Sequence, residues 1–180
     1  MAKTIKLSLS QTVIRQAIKD LEAYRDDLPR KCEAIVTKLA AKGYMVAVKE
    51  SGNFRKYITF TATCTPEQDG AKALLVASSG TIKTQWLQAD DSVSEADVSP
   101  LLMVEFGSGL RADNAYANQF GMGTGTFPNQ THADDPNGWW YMDLDGRWHH
   151  SYGIEPSSPM HEAAMKMQSE IANVVKEVFK

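Results

Sequence analysis

Three glycines at alternate positions, Gly121, Gly123 and Gly125, form the first group that could carry chemistry, because glycine-rich loops bind phosphate groups. Such a loop needs a helix N-terminus after it, and a nucleotide hydrolase also needs a Gly-Lys-Ser/Thr motif. The Thr-Phe-Pro-Asn segment at 126–129 follows instead, and it is not typical of a helix start. The pattern favours a flexible loop, and we predict no cofactor.

Histidines and carboxylates form the second group, because these side chains bind metals and transfer protons. His149 and His150 are adjacent on a predicted strand, so they point to opposite faces and are not expected to bind one metal. Asp143 and Asp145 lie in a segment too short for a calcium loop, and no bidentate glutamate follows them. The sequence therefore predicts no metal site.

A small hydrolase that uses His149, Asp145 or Glu105 is the enzyme alternative. Glu105 lies between apolar Val104 and Phe106, where burial can tune a carboxylate for catalysis. Because the sequence shows no partner for it, we prefer a structural ion pair or a helix cap. No Gly-x-Ser-x-Gly nucleophile motif is present. We therefore predict no catalytic residue.

Trp139, Trp140 and Trp148 fall within one short segment. Aromatic rings on strands can stack on sugars or bases, but they more often pack in a core or an interface. Basic residues do not alternate with these rings, which argues against sequence-specific nucleic-acid binding. A carbohydrate-binding module that uses the three tryptophans stays open as an alternative.

The 180-residue composition, with 43% hydrophobic and 23% charged residues, is typical of one soluble domain spanning 1–180. The chain has only two cysteines, which we interpret as reduced thiols, and no apolar run of about 20 residues that could cross a membrane. Residues 1–60 carry 12 basic and 6 acidic side chains, whereas residues 61–180 carry 7 and 16. This asymmetry fits either differently solvated faces or contacts between copies.

Hydrophobic periodicity predicts helices in the first quarter of the chain. Ser10 is a predicted N-cap, and a helix is expected to begin near Gln11. Pro29 disfavours a straight continuation, so two helices, with the second capped by Asp26–Asp27, or one kinked helix both fit. Gly43 is the expected C-terminal stop.

Hydrophobic patterning predicts one short strand before the first helix and four strands after Gly43. Ser51-Gly52-Asn53 is the predicted turn of a hairpin formed by the strands Tyr44–Val48 and Tyr57–Cys64. The predicted strands are Lys3–Leu9, Tyr44–Val48, Tyr57–Cys64, a buried Ala73–Ala77, and Ile82–Trp86 continuing the meander.

Residues 88–137 are rich in polar residues and glycine, and we expect a long loop region with one apolar island at Leu101–Phe106. Asp145-Gly146 predicts a two-residue hairpin turn between Trp139–Met142 and Arg147–His150. Ser158 is expected to cap a final helix about 30 Å long. Together the elements predict an α+β fold, with N-terminal helices and a C-terminal helix packed on a twisted, mostly antiparallel sheet.

Two groups of motif residues follow one another in the second half of the chain. The first is Val104-Glu105-Phe106-Gly107-Ser108-Gly109. The second consists of Gly138-Trp139-Trp140-Tyr141, Trp148, Gly153, Pro156, Pro159-Met160 and a terminal helix with Ala163 and Ala164.

This series resembles the head–tail joining, or minor tail component, family of tailed bacteriophages. That family typically shows a Glu-Phe-Gly-Thr-Gly box, a Trp/Tyr-rich hairpin and a Gly-…-Pro-x-x-Pro-Phe-Met turn into its last helix. Here Ser108 replaces the threonine, and Pro159-Met160 lacks the intervening aromatic residue. The order of the N-terminal helix and strands also matches.

The resemblance implies a non-enzymatic structural protein of a phage or prophage virion. It implies a ring at the head–tail junction, assembled from copies of this chain in the bacterial cytoplasm. The implied partners are the connector or portal-side proteins and tail proteins. The resemblance implies no cofactor and no metal. It also implies no contact with a membrane or with a specific nucleic-acid sequence.

The three functional alternatives predict different structures. An enzyme requires a pocket in which titratable groups converge. A carbohydrate-binding module requires exposed, coplanar tryptophans. An assembly protein is expected to bury most of its tryptophans and to hold a mobile long loop.

Overall fold

The protein has an α+β fold in which a long N-terminal helix and a C-terminal helix pack together with antiparallel sheets. The computed structural model describes residues 10–68, 70–87, 90, 92–121 and 135–180. The predicted strand Lys3–Leu9, Gly123, Gly125 and residues 122–134 lie outside this set. Its helices are α1 (Gln11–Glu50), α2 (Pro100–Phe106), α3 (Asn114–Asn118) and α4 (Pro159–Val178), with 3₁₀ turns at Gly52–Tyr57 and Gly109–Arg111. Its strands are β1 (Ile58–Glu67), β2 (Gly70–Ser79), β3 (Ile82–Leu87), β4 (Val93–Val98), β5 (Trp139–Met142) and β6 (Trp148–Ser151).

The first helix, α1, is continuous across Pro29, which lies at an exposed position inside it. The predicted N-cap is confirmed, since the Ser10 hydroxyl oxygen accepts the Val13 N–H at 3.5 Å. The alternative of a second helix capped by Asp26–Asp27 is wrong. Asp27 lies within α1, and its carboxylate is 2.7 Å from the Arg30 guanidinium on the same helix.

The predictions that Gly43 ends a helix and that Tyr44–Val48 is a strand are both wrong, because α1 runs on to Glu50. Gly43 is buried against α4, and a Cβ there would lie 2.7 Å from the Met167 sulfur. The glycine therefore serves close helix–helix packing, and its helical neighbours bury every third or fourth residue. The predicted turn at Ser51–Asn53 instead ends α1 and leads into a 3₁₀ turn.

The helices α1 and α4 run antiparallel, and oppositely charged side chains join them. The Lys42 ammonium lies 3.4 Å from the Glu170 carboxylate, and Lys38 binds Glu177. Hydrogen bonds from Lys166 and Lys42 lower the pKa of Glu170 to about 2. Part of the charge asymmetry between residues 1–60 and residues 61–180 is thus matched by ion pairs within one chain.

The hairpin β1–β2 covers the C-terminal half of α1. The expected strand at Tyr57–Cys64 is confirmed with its faces, since Ile58 and Phe60 are buried and their neighbours are exposed. The hydrophobic core joins this hairpin to α1, α2 and α4, and its buried members are Ala47, Ile58, Phe60, Val104 and Ala163. The second strand, β2, is only half-buried rather than fully buried, because Leu74 and Val76 face solvent.

A second sheet has the strand order β4-β3-β5-β6, so β3 does not extend the first hairpin as a meander. The expectation of a loop over 88–137 is wrong for much of that range, which contains β4, α2 and α3. The hairpin β5–β6 is confirmed, but Asp143 pairs with Arg147, so three residues form its loop instead of two. The final helix begins after Ser158 as expected, but the prediction that the Ser158 side chain caps it is wrong, because its hydroxyl makes no cap hydrogen bond. No helix in the described part of the chain is long and apolar enough to span a membrane.

Replacing Pro29 with alanine is expected to stabilise the protein, because the substitution restores an N–H donor inside α1 and removes a steric clash. The expected gain is about 1–3 kcal/mol in the free energy of unfolding, measured by urea denaturation. The control Thr37→Ala, at another exposed position of α1, restores no hydrogen bond and is expected to gain no more than about 0.7 kcal/mol from helix propensity. Equal effects of the two substitutions would contradict the prediction, since they would show that Pro29 does not destabilise α1.

Candidate functional site

The first motif group centres on Glu105, which is 5% exposed at the end of α2. Its carboxylate accepts three hydrogen bonds from neutral donors. They come from the Tyr116 hydroxyl at 2.8 Å, the Met160 N–H at 2.8 Å and the His161 N–H at 3.0 Å. One side chain thereby joins α2 to α3 and to the first turn of α4.

The interpretation of Glu105 as a helix cap is confirmed, although the capped helix, α4, lies more than fifty residues away. Ser158 occupies the N-cap position but has a left-handed backbone (φ 46°), and its hydroxyl donates to the Glu105 carbonyl at 2.8 Å. Glu105 therefore supplies the acceptor that an N-cap side chain ordinarily provides. The positive end of the helix dipole also favours a carboxylate at this position.

Tyr116 holds the other side of this carboxylate. Burial and the hydrogen bond to Glu105 raise the pKa of its phenol, so the hydroxyl stays a donor. Its ring lies 5.0 Å from that of Phe106 and 4.9 Å from that of His161. The Asp113 carboxylate caps α3 by accepting the Tyr116 N–H at 2.9 Å, which orients the ring toward Glu105.

Backbone hydrogen bonds join the two motif groups directly. The Ser108 N–H donates to the Ile154 carbonyl at 2.9 Å, and the Ile154 N–H donates to the Ser108 hydroxyl at 3.0 Å. The N–H groups of Ser157 and Ser158 both donate to the Val104 carbonyl at 3.0 Å. The segment before α4 therefore lies directly against the first motif group.

Two glycines allow this close approach. Gly107 and Gly153 have φ values of 78° and 99°, which side chains resist. A Cβ at Gly153 would lie 1.8 Å from the Ser108 carbonyl oxygen, and one at Gly107 would lie 2.8 Å from the Pro156 ring. The motif residues that are far apart in sequence thus form one packed unit.

The three tryptophans divide between two faces of the β5–β6 hairpin. Trp139 is half-buried, and its ring approaches the backbone of Gly109. Trp140 and Trp148 are 64% and 63% exposed on the opposite face. The expectation that an assembly protein buries most of its tryptophans is therefore wrong for two of the three in the single chain.

The two histidines of the hairpin point to opposite faces, as predicted. The His149 ring nitrogen lies 2.7 Å from the Asp143 carboxylate, and the ring stacks on Tyr141 at 5.3 Å. His150 instead stacks on Trp140, with ring centroids 4.6 Å apart. Hydrogen bonds from the Arg147 N–H and from His149 lower the pKa of Asp143. The Asp143 carboxylate therefore holds the two ends of the hairpin loop together.

The residues of the enzyme alternative do not converge in the described structure. The Glu105 carboxylate is occupied by its three donors, and His149 pairs with Asp143 rather than with Asp145, which lies in the hairpin loop. The residues described contain no group of three or more side chains suited to hold a metal. A groove of about 340 Å³ between α1 and β1 is lined by Thr37, Ala40, Ala41, Tyr44, Ala62, Thr63 and Cys64, a set without carboxylates or histidines.

Comparisons of this chain with models of known protein families, with curated proteins and with solved structures found no match.

Tyr116 is the important side chain that the sequence reasoning missed. Its local signal is the cap motif that starts at Asp113, which predicts a short helix but not the direction of the ring. The other partners of Glu105 are the backbone N–H groups of Met160 and His161. Every residue except proline has such a group, so the residue types do not predict which ones a carboxylate accepts.

Substitutions at Glu105 test its structural role. Glu105→Ala is expected to lower the free energy of unfolding by about 3 kcal/mol, since it leaves three donors without their acceptor. Glu105→Gln is expected to cost about 2 kcal/mol, because the amide NH₂ faces an N–H donor of α4. Tyr116→Phe is made in the unsubstituted protein and in Glu105→Ala. The difference between its two effects is the coupling energy of Tyr116 and Glu105, which we expect to be about 1–2 kcal/mol.

The matched control is Glu155→Gln, which neutralises an exposed carboxylate on the same segment before α4. Chemical denaturation of this variant should agree with the unsubstituted protein within about 0.5 kcal/mol. A Glu105→Ala variant as stable as this control would refute the cap.

Proposed function

We propose that this chain is a non-enzymatic structural protein of a tailed-phage or prophage virion, which assembles as a ring at the head–tail junction. Its partners in this proposal are copies of itself, the connector or portal-side proteins and the tail proteins. The proposal needs no cofactor, and it places the chain in the bacterial cytoplasm during assembly and in the virion afterwards.

The observation that carries this proposal is the role of the motif residues that resemble the phage family. Glu105, Gly107 and Ser108 hold the segment Gly153–Met160 and the start of α4 through hydrogen bonds and close backbone contact. The polar groups of these residues therefore hold parts of the chain together, whereas a catalytic motif would leave its polar groups open to a substrate. A motif built for a rigid scaffold fits a virion component better than it fits a hydrolase.

A carbohydrate-binding module is the second candidate, because one observation favours it. Trp140 and Trp148 are both about two-thirds exposed on one face of a hairpin, where rings can stack on sugars. The face belongs to an open sheet rather than a concave pocket, and small-ligand sites are ordinarily concave. An extended oligosaccharide is thus the ligand class that this candidate would require.

Binding to capsids tests the proposed function. The purified chain is mixed with neck-deficient capsids of the phage that encodes it, and co-sedimentation is measured at 0.1 M and 1 M salt. We expect binding that weakens at high salt, since the Debye length falls from about 10 Å to 3 Å. Capsids with complete necks are the control and should bind little of the added chain.

Absence of binding to neck-deficient capsids at both salt concentrations would contradict the proposal. A parallel titration with soluble oligosaccharides separates the second candidate. Saccharide binding that disappears in a Trp140→Ala/Trp148→Ala variant, together with no capsid binding, would establish the carbohydrate module instead.

A further inference from the structure

The turn that leads into β5 contains the one Asn-Gly pair of the sequence, Asn137-Gly138. Asparagine is chemically labile, because the backbone nitrogen of the following residue can attack the carbonyl carbon of its side-chain amide. Glycine hinders that nitrogen least, since it has no Cβ. Asn137 is exposed, so water reaches the pair.

The structure requires the glycine of this pair. Gly138 is buried and has a φ of 67°, a region that side chains resist. A Cβ there would lie 2.3 Å from the Ser151 carbonyl oxygen of β6, so a larger residue does not fit. The fold thus keeps the labile neighbour of Asn137 in place.

Three hydrogen bonds hold the pair in a turn at 135–138. The Gly138 N–H donates to the Asp135 carbonyl at 2.9 Å, and the Asn137 N–H donates to the Asp135 carboxylate at 3.0 Å. The His150 ring nitrogen donates to the Asn137 carbonyl at 2.6 Å. The first of these bonds closes the turn and occupies the nitrogen that has to attack. The closed turn therefore protects the pair, and reaction requires the turn to open.

Opening this turn breaks few contacts. Pro136 and Asn137 are exposed, and a hydrogen bond adds only modestly to stability once the bonds that water forms in its place are counted. Together the three bonds lower the open fraction about a hundredfold. Exposed turns open far more often than a whole protein unfolds. The pair is thus reactive within the native protein.

We propose that Asn137 deamidates spontaneously in the folded protein, at a rate set by opening of the turn at 135–138. In the open turn the Gly138 nitrogen loses its proton and bonds to the side-chain carbonyl carbon of Asn137. The bond from that carbon to the amide nitrogen breaks, and the nitrogen leaves with the proton as ammonia.

A cyclic succinimide remains after this step, and one water molecule opens it. Cleavage of the ring at the former side-chain carbonyl gives aspartate with an unchanged backbone. Cleavage at the backbone carbonyl gives isoaspartate, in which the backbone passes through the former side chain. The reaction needs water as its co-reactant and neither an oxidant nor an enzyme.

Either product changes the surroundings of the exposed tryptophans. Both products add one negative charge, and isoaspartate also adds one methylene group to the backbone ahead of β5. Gly138 has little room to absorb this length, because it is closely packed. His150, which donates to the Asn137 carbonyl, stacks on Trp140 at 4.6 Å, so the modification alters a contact of the exposed hairpin face. The inference does not depend on the proposed function.

Peptide mass spectrometry after incubation in water labelled with heavy oxygen tests this site. One sample of the full chain is kept folded at mildly alkaline pH, and a second is unfolded in urea. We expect aspartate and isoaspartate at position 137 in both, with heavy oxygen in the new carboxylate and a folded rate about a hundredfold lower. Asn53-Phe54 and Asn173-Val174 are internal controls, which should react far more slowly because a side chain hinders the attacking nitrogen.

Two variants weaken the turn without changing the Asn-Gly pair. Asp135→Ala removes the acceptor of the Asn137 N–H, and His150→Phe removes a donor but keeps a ring beside Trp140. Each is expected to raise the folded rate about three- to tenfold and to leave the rate in urea unchanged. Asp145→Ala, which removes the same group at an exposed position of the β5–β6 loop, is the matched control and should not change the rate.

Absence of product at position 137 in the folded chain, when the sample in urea has reacted almost completely, would overturn the site. Reaction at Asn173 as fast as at position 137 would overturn it too. Folded variants that react no faster than Asp145→Ala would refute control by the turn, as would equal rates in the folded and the unfolded chain. These results are separate from capsid binding, so a failure here leaves the proposed function in place.

Discussion

The carboxylate of Glu105 is the group on which the arrangement of the second half of the protein depends. It is buried, and its hydrogen bonds in the described structure come from a phenol and two backbone N–H groups. A buried carboxylate is costly unless such donors satisfy it, so α2, α3 and the start of α4 must stay in one relative position. The left-handed Ser158 is part of the same constraint, since its hydroxyl is turned to the Glu105 carbonyl.

This constraint explains why the motif residues need their particular types. Gly153 lies against the Ser108 carbonyl because the chain must pass beside the first motif group before it enters α4. The Trp139 ring of the β5–β6 hairpin packs against Gly109 of the first motif group, whereas Trp140 and Trp148 stay exposed.

Much of the fold follows from periodicity and caps, but the contacts between distant segments do not. Alternation predicted the buried face of β1, and Ser10 and Ser158 marked the starts of α1 and α4 correctly. The prediction for Gly43 was wrong because the sequence alone does not distinguish a glycine that permits close helix packing from one that ends a helix. Glu105 could be recognised as a cap but not matched to α4, since backbone donors carry no sequence signature.

Hydrogen exchange at the backbone N–H groups of Met160 and His161 tests the central role of Glu105 most directly. The first N–H groups of a helix ordinarily lack a partner within the helix and exchange quickly. Because Glu105 accepts both of these N–H groups, we predict slow exchange in the unsubstituted protein. Exchange in Glu105→Ala should be at least tenfold faster at the two residues and unchanged in the middle of α1. Rapid exchange at Met160 and His161 in the unsubstituted protein would contradict the account.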